Sequence, residues 1–276
     1  MEPLHAVSLG IVQGLTEFLP ISSSGHLVLL QTLFGLTEPE LIFDIGVHVG
    51  TLVAVVIFFR RDLLRLIGVA LRFPGRRLRG QTTLKASYED ELDIRLISLI
   101  IIGTIPTVIC GLALKPFAER IFSAPLLTGI MLLVTGSLLW ATRRIRITGH
   151  GVGRFGLKSA LAIGLVQGLA IFPGISRSGS TIAAGLFLRL NRETAARYSF
   201  LLAIPAILGA AILQVGDLGS RHAPDAGALI LGAGTSAVVG YGALRLLVYI
   251  VNRGQLHLFA PYCWIIGAIT VVANLI

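Results

Sequence analysis

The sequence predicts an all-α polytopic membrane protein, with six transmembrane helices plus two re-entrant helix–loop–helix hairpins in an inverted-topology repeat. Three observations carry that prediction. Charge is scarce: 13% of residues are Asp, Glu, Lys or Arg against 54% hydrophobic, and the mean hydropathy is +0.85, whereas soluble domains carry roughly 25% charged residues. The apolar residues run in stretches of about 20, long enough as helices to cross a ~30 Å hydrocarbon core. A soluble protein with one greasy core would show short periodic stripes instead. Finally, one Ser/Gly-rich motif recurs at a constant offset of 154 residues.

Six apolar runs read as spanning helices, at about 42–60, 94–114, 124–142, 194–215, 226–250 and 258–276. Two further stretches, 4–34 and 157–188, are broken centrally by Pro, Gly and Ser, from Phe18 to Gly25 and from Phe172 to Gly179. Each half has about 10–15 residues, or roughly 15–22 Å of helix, too short to span. Both stretches are therefore expected to dip to mid-membrane and return.

With this count, 19 Lys/Arg fall on one side: Arg60 to Arg95, Arg143 to Lys158, Arg189 to Arg197, Arg245 and Arg253. Only three, Lys115, Arg120 and Arg221, fall on the other. The positive-inside bias makes the first side cytoplasmic and puts both termini outside. The net charge of +9 is thus explained by membrane orientation and anionic lipid headgroups. No basic patch interleaved with aromatic residues exists, so nucleic acid is not an expected partner. Trp140 and Trp264 fall near cytoplasmic helix ends, as interfacial anchors should. Cys110 and Cys263 lie far apart in apolar segments, without CxxC or Cys/His clusters, and indicate neither zinc nor a disulfide framework. Met1, Glu2 and Pro3 offer no basic n-region, so the first apolar stretch does not read as a cleaved signal peptide.

The repeat is gap-free. Gly10 to His26 (GIVQGLTEFLPISSSGH) aligns on Gly164 to Ser180 (GLVQGLAIFPGISRSGS), identical at 10 of 17 positions. The first repeat is 1–145 and the second 146–276, each one hairpin plus three spans. Three is odd, so the second must sit upside down. Inverted repeats with discontinuous helices place binding sites near the midplane, where half-helix N-termini face anionic groups. The two Ser-rich tips are expected to meet there.

Glu17 and Arg177 are the charges in the tips. A charge at membrane depth costs several kcal/mol unless paired or hydrated, and is a functional candidate by default; the bland alternative is a structural ion pair. Ser22, Ser23, Ser24 and Gly25, then Ser176, Ser178, Ser180 and Gly179, open the second half-helices. One or two of these serines are expected merely to cap a helix. Together with Arg177, the two N-termini make an anion cradle for a phosphate or diphosphate delivered from the lipid. Gln13 and Glu17, four apart on one helix face, offer oxygen ligands for Mg2+ or Ca2+. His26 reads as a general base, acid or nucleophile, or as a packing residue. Asp44 and His48 share a face and form either a second polar wall or a water-facing pair. Asn191, Arg192 and Glu193 read as an exposed helix start.

These residues resemble a known family. Gln13 to His26 and Pro173 to Gly179 are similar to the two signatures of bacitracin-resistance type undecaprenyl-diphosphate phosphatases, and segment order matches over nearly the whole chain. The resemblance implies hydrolysis of undecaprenyl diphosphate to undecaprenyl phosphate at the outer face of the cytoplasmic membrane, recycling the carrier for peptidoglycan synthesis. It also implies a divalent cation, six spans and two hairpins. The family's Glu/Gln-x-x-x-Glu motif falls on Gln13 and Glu17, its catalytic Ser and His on the Ser22–Ser24 cluster and His26, and its phosphate-binding Ser-Arg on Ser176 and Arg177. Some members carry Glu where this chain has Gln13, so Glu17 must supply the acidic group alone. The expected chemistry is metal-assisted phosphoryl transfer, with Ser23, His26 or a water attacking. Ser23 assisted by His26 is preferred. A lipid-phosphate transporter or flippase is the rival reading, because this architecture also serves transport.

Overall fold

Hydrocarbon offers the backbone no hydrogen-bond partners, so each apolar run must satisfy its own N–H and C=O groups, and a helix is how a single run does so. A computed structural model describes residues 2–33, 41–78, 88–145, 149–216 and 226–275, and among these there are twelve α-helices and no β-strand. The first hairpin stretch gives α1 (Pro3–Phe18) and α2 (Ser23–Leu33). Next come α3 (Leu41–Phe58), α4 (Arg60–Leu78), α5 (Tyr88–Leu114), the short α6 (Ala118–Phe122) and α7 (Pro125–Ala141). The second hairpin stretch gives α8 (Leu157–Leu169) and α9 (Arg177–Phe187), followed by α10 (Arg192–Gly216), α11 (Ala226–Asn252) and α12 (Ala260–Ala273).

Five of these helices are long and apolar enough to cross a membrane, and a sixth span exists if α3 and α4 are taken together across a 77° bend. The chain is therefore a multi-pass membrane protein. Pro3 opens α1 and Pro125 opens α7, where a missing N–H does no harm. Asn191 Oδ1 accepts from Thr194 N at 2.7 Å ahead of α10, confirming the helix start read there. Helices α2, α8 and α9 have 11, 13 and 11 residues, none of them enough to span.

One segment differs from expectation. Residues 60–78, read as part of a link, form a helix. Its exposed Leu64, Ile67 and Leu71 occupy one face, with Arg61, Arg65 and Arg72 beside them. Apolar and basic faces side by side, on a helix turned 77° from its predecessor, suit a position along the membrane surface. The protein-facing side is tied down by ions. Arg65 Nε lies 3.0 Å from Asp93 Oδ2, and Arg197 Nη2 donates to Asp62 Oδ1 at 2.8 Å.

Glycine brings the helices close enough to build a site. Apolar association gains nothing in lipid, so helix pairs depend on small residues that allow close packing. Gly10 and Gly14 of α1 pack on Gly232, Ser236 and Gly240 of α11. Their counterparts in the repeat, Gly164 and Gly168 of α8, pack on Gly103 and Cys110 of α5. Helices α7 and α12 cross where Gly129 meets Gly267. At one end of that pair Trp140 and Trp264 lie 5.5 Å apart, and the Arg143 guanidinium stacks 4.0 Å over Trp140.

A Cβ at Gly14 would lie 2.9 Å from both Gly240 N and Ser236 O, whereas one at Gly209 meets nothing within 4 Å. Gly14→Ala should therefore destabilise by about 1–3 kcal/mol despite its better helix propensity. Gly209→Ala should not. Melting in detergent compares them, and equal melting temperatures would refute the close crossing of α1 and α11.

Candidate active site

The site grows out of the two breaks in the hairpins. Pro20 stops α1 from continuing, and the chain turns through Ser22, whose φ of +71° is in the left-handed region. That region is uncommon for a residue with a side chain, so Ser22 needs fixing. Its Oγ accepts from Gly174 N, in the other hairpin, at 2.9 Å. Gly174 is itself left-handed, with φ +95°. Ser178 Oγ donates back to the Phe18 carbonyl at 2.8 Å, and Ser176 Oγ caps α9 by accepting from Gly179 N at 3.1 Å. The tips do meet. Three of the serines named as phosphate-binding candidates, Ser22, Ser176 and Ser178, are buried and have their hydroxyls engaged in these contacts. Ser24 adds a 3.5 Å contact to Ser22 Oγ. Gly25 N approaches the same Ser22 oxygen at 3.4 Å, and Gly179 packs on Pro20 across the junction.

Glu17 lies at the centre, only 8% exposed, in the last turn of α1. Arg177, in the first turn of α9, donates through Nη2 to its Oε1. The other oxygen, Oε2, accepts from Ser23 Oγ at 2.6 Å and from Gln13 Nε2 at 3.0 Å. His48 Nε2 stands 3.8 Å from Oε2. Its Nδ1 donates to the Asp44 carbonyl at 2.7 Å, which turns Nε2 towards Glu17. The polar-wall reading of His48 is thus the one the geometry favours. Two buried polar atoms here lack a hydrogen-bond partner among the described residues, Gln13 Oε1 and Arg177 Nη1. Leaving such groups unmade costs about 1–3 kcal/mol each. An unpartnered oxygen and an unpartnered N–H thus flank one carboxylate.

His26 is placed differently from expectation. Its Nδ1 donates to the Ser22 carbonyl at 2.8 Å, and its Nε2 meets the Tyr262 hydroxyl at 2.7 Å. Neither nitrogen bonds Ser23. The group holding the Ser23 hydroxyl is Glu17. Sequence reasoning also missed Thr135 of α7, whose buried Oγ1 donates to the Gly174 carbonyl at 2.8 Å and accepts from Ser176 N at 3.2 Å. Hydroxyls in apolar helices are common, and only the fold shows that this one clamps the second tip. In the second repeat Gln167 matches Gln13, but Ile171 replaces the acid. Gln167 Nε2 instead bonds Thr107 Oγ1 at 3.2 Å and the Leu202 carbonyl at 3.3 Å. Only the first half of the repeat carries an acid at this position.

Comparison with known proteins agrees in extent with this architecture. The family model described as bacitracin resistance protein BacA matches residues 6–269. An undecaprenyl-diphosphatase of Desulfosudis oleivorans is 54% identical over 275 residues, covering 98% of both chains. Another from Desulfatibacillum aliphaticivorans is 50% identical over 276 residues and the full length of both. One from Methanosphaera stadtmanae is 45% identical over 281 residues, all of this chain and 99% of its own.

Deleting hairpin-bridging hydroxyls should cost stability. Ser22→Ala strands the buried Gly174 N–H and Ser178→Ala strands the Phe18 carbonyl, each at about 1–3 kcal/mol. Ser23, only half-buried, should cost less. Melting of the three variants in detergent tests this, and a Ser23→Ala protein less stable than both others would contradict the division.

Proposed function

The chain belongs to the bacitracin resistance protein family, and on that premise we propose the function its site supports. It is an integral membrane hydrolase that removes the terminal phosphate of undecaprenyl diphosphate, leaving undecaprenyl phosphate for another round of cell-wall synthesis. The observation that carries this reading is the buried cluster of Glu17, Arg177, Ser23 and Gln13 between the hairpins. A charged cradle at that depth suits a ligand whose charge enters the protein while its tail remains in lipid.

Arg177 binds the diphosphate through Nη1, the buried donor not engaged by Glu17. A guanidinium suits phosphate because its planar fork matches two oxygens. The N-termini of α2 and α9 add partial positive charge. Ser23 Oγ attacks the terminal phosphorus. The bond to the bridging oxygen breaks, and undecaprenyl phosphate leaves. The hydroxyl proton passes to Glu17 Oε2, 2.6 Å away. Water then cleaves the phosphoserine and releases phosphate. Little base strength is needed, because phosphoryl transfer proceeds mainly by positioning and charge stabilisation. Glu17 returns the proton to Ser23 Oγ in that second step, and His26, whose Nδ1 donates to the Ser22 carbonyl, assists by holding the turn that carries Ser23.

The oxygens present suit a hard divalent cation such as Mg2+ or Ca2+. Glu17 and the unpartnered Gln13 Oε1 would hold it. When bound, it polarises the phosphoryl oxygens and offsets their charge. Among the described residues no group of three or more His, Cys, Asp or Glu is placed to hold a metal, so a bound cation would need further oxygens from the substrate or water.

The proposed layout is six spans and two re-entrant hairpins, with repeats 1–145 and 146–276 inverted in the membrane. Reciprocal packing supports it: α1 lies on α11, and its counterpart α8 lies on α5, the counterpart of α11. The side with 19 Lys/Arg is cytoplasmic, the site opens outward and both termini are outside. The aromatic and Arg143 cluster at Trp140 and Trp264 suits an interfacial belt on the cytoplasmic side.

Phosphate release in detergent micelles tests the function against the transporter reading, because turnover there needs no sealed vesicle. Glu17→Ala and Ser23→Ala should each lower the rate at least about a hundredfold, or ~2.7 kcal/mol of barrier. Chelators should silence the wild type, and Gln13→Glu should be tolerated. Full activity after chelation would end the cation role. Orientation is tested in a cysteine-free background with an impermeant thiol reagent on intact cells. Cysteines at Gln81 and Gly156 should be shielded and one at Gly219 labelled; the reverse pattern would overturn the orientation. Gly156 is chosen because nothing lies within 4 Å of a Cβ there, whereas one at Gly149 would meet the backbone of Arg189 and Leu190.

A further inference from the structure

The end of α12 carries a side chain that neither the repeat nor the signatures point to. Tyr262 sits one turn into the last helix, and its hydroxyl lies 2.7 Å from His26 Nε2, 236 residues away in sequence. The two rings are stacked, with centroids 5.7 Å apart and an interplanar angle of 11°. A carbonyl oxygen can only accept, so the bond between His26 Nδ1 and the Ser22 carbonyl at 2.8 Å places a proton on Nδ1. In the neutral ring Nε2 then carries the lone pair, and Tyr262 is the donor.

The chain of contacts continues past the imidazole. Ser22 is the residue held at φ +71°, and its Oγ receives Gly174 N from the other hairpin. Its neighbour Ser23 is the residue bound to Glu17. A strained turn of this kind persists only where its surroundings over-determine it. Tyr262 and His26 fix the carbonyl of that turn, as Gly174 fixes its hydroxyl. Tyr262 is also 40% exposed, so one edge of this line of hydrogen bonds reaches the protein's surface.

We infer that Tyr262 is a positioning residue for the reaction: its hydroxyl holds His26 in the Nδ1–H tautomer and orientation that keep the Ser22–Ser23 turn in register with Glu17. The inference rests on the reading of His26 as a working residue of the site. Tyr262 acts through His26 and touches no reacting atom. Its ring packing and its hydroxyl do separate jobs, the ring stacking on the imidazole and the O–H fixing Nε2. Orientation errors of a fraction of an ångström at a nucleophile are expensive in rate while leaving substrate affinity nearly unchanged.

Tyr262→Phe keeps the ring and removes only the hydroxyl. Its kcat for phosphate release from undecaprenyl diphosphate in micelles should fall about tenfold, with KM within twofold of wild type and melting within about 2 °C. The decisive comparison is a double-mutant cycle with His26→Ala, because residues that act through one another are not additive. In the His26→Ala background, Tyr262→Phe should change nothing further. An equal loss from Tyr262→Phe in both backgrounds, or a fall in melting temperature matching the fall in rate, would overturn the inference. So would unchanged kcat in Tyr262→Phe when His26→Ala is inactive. If His26→Ala itself keeps full activity, the role given to His26 fails first and this inference fails with it.

Discussion

An unpaired carboxylate or guanidinium buried away from water costs several kcal/mol, and that constraint governs the rest of this molecule. Glu17 and Arg177, 160 residues apart in the sequence and one in each hairpin, satisfy it by meeting. The meeting demands two interrupted helices whose tips touch. The interruptions demand replacement partners for the freed backbone groups, and the serines and Thr135 supply them. A buried ion pair is seldom the cheapest way to hold two segments together, since well-packed apolar residues are often as stable or more so. This pair keeps one donor of Arg177 and the neighbouring oxygen of Gln13 unpartnered among the described residues, which suits binding better than structure.

Close helix approach makes that junction affordable to the backbone. Gly10 and Gly14 let α1 lie directly on α11, and Gly164 and Gly168 do the same for α8 on α5. The Gly positions shared by the repeats therefore serve packing in both halves, while the acid at position 17 and the base at 177 have no charged counterparts in the other half. Beyond the tips, on the α4 side, the molecule is filled. Phe18 meets Phe200 edge-on at 6.0 Å, Phe200 lies 5.9 Å from Phe59, and the Asp62–Arg197 and Arg65–Asp93 pairs follow.

Much of this was legible in the sequence because membranes make strong demands on composition and length. Apolar runs and the Pro/Gly/Ser breaks each follow from one physical rule, and the offset of 154 residues located the tips. Glu17, Ser23, Gln13 and Arg177, which the structure brings together, stand out in the sequence as polar residues in apolar surroundings. What was missed lacked that contrast. Thr135 and Tyr262 are ordinary residues of apolar helices until the fold brings them to Gly174 and His26. Residues 60–78 looked like a charged link because basic residues mask the apolar face formed by Leu64, Ile67 and Leu71. Spacing alone did not show which groups touch: the Ser23 hydroxyl lies against Glu17, and the His26 imidazole against the Ser22 carbonyl and Tyr262.

The central claim is that Arg177 grips the diphosphate and is more than one half of a structural pair. Turnover and melting temperature measured together on Arg177→Lys and Arg177→Ala test it most directly. A clamp needs the planar fork, so the lysine variant should stay folded, keep its charge beside Glu17 and lose most turnover. A purely structural pair requires the opposite ordering, with lysine nearly harmless and alanine strongly destabilising because Glu17 is left buried and alone. Near-normal turnover in Arg177→Lys would contradict the account.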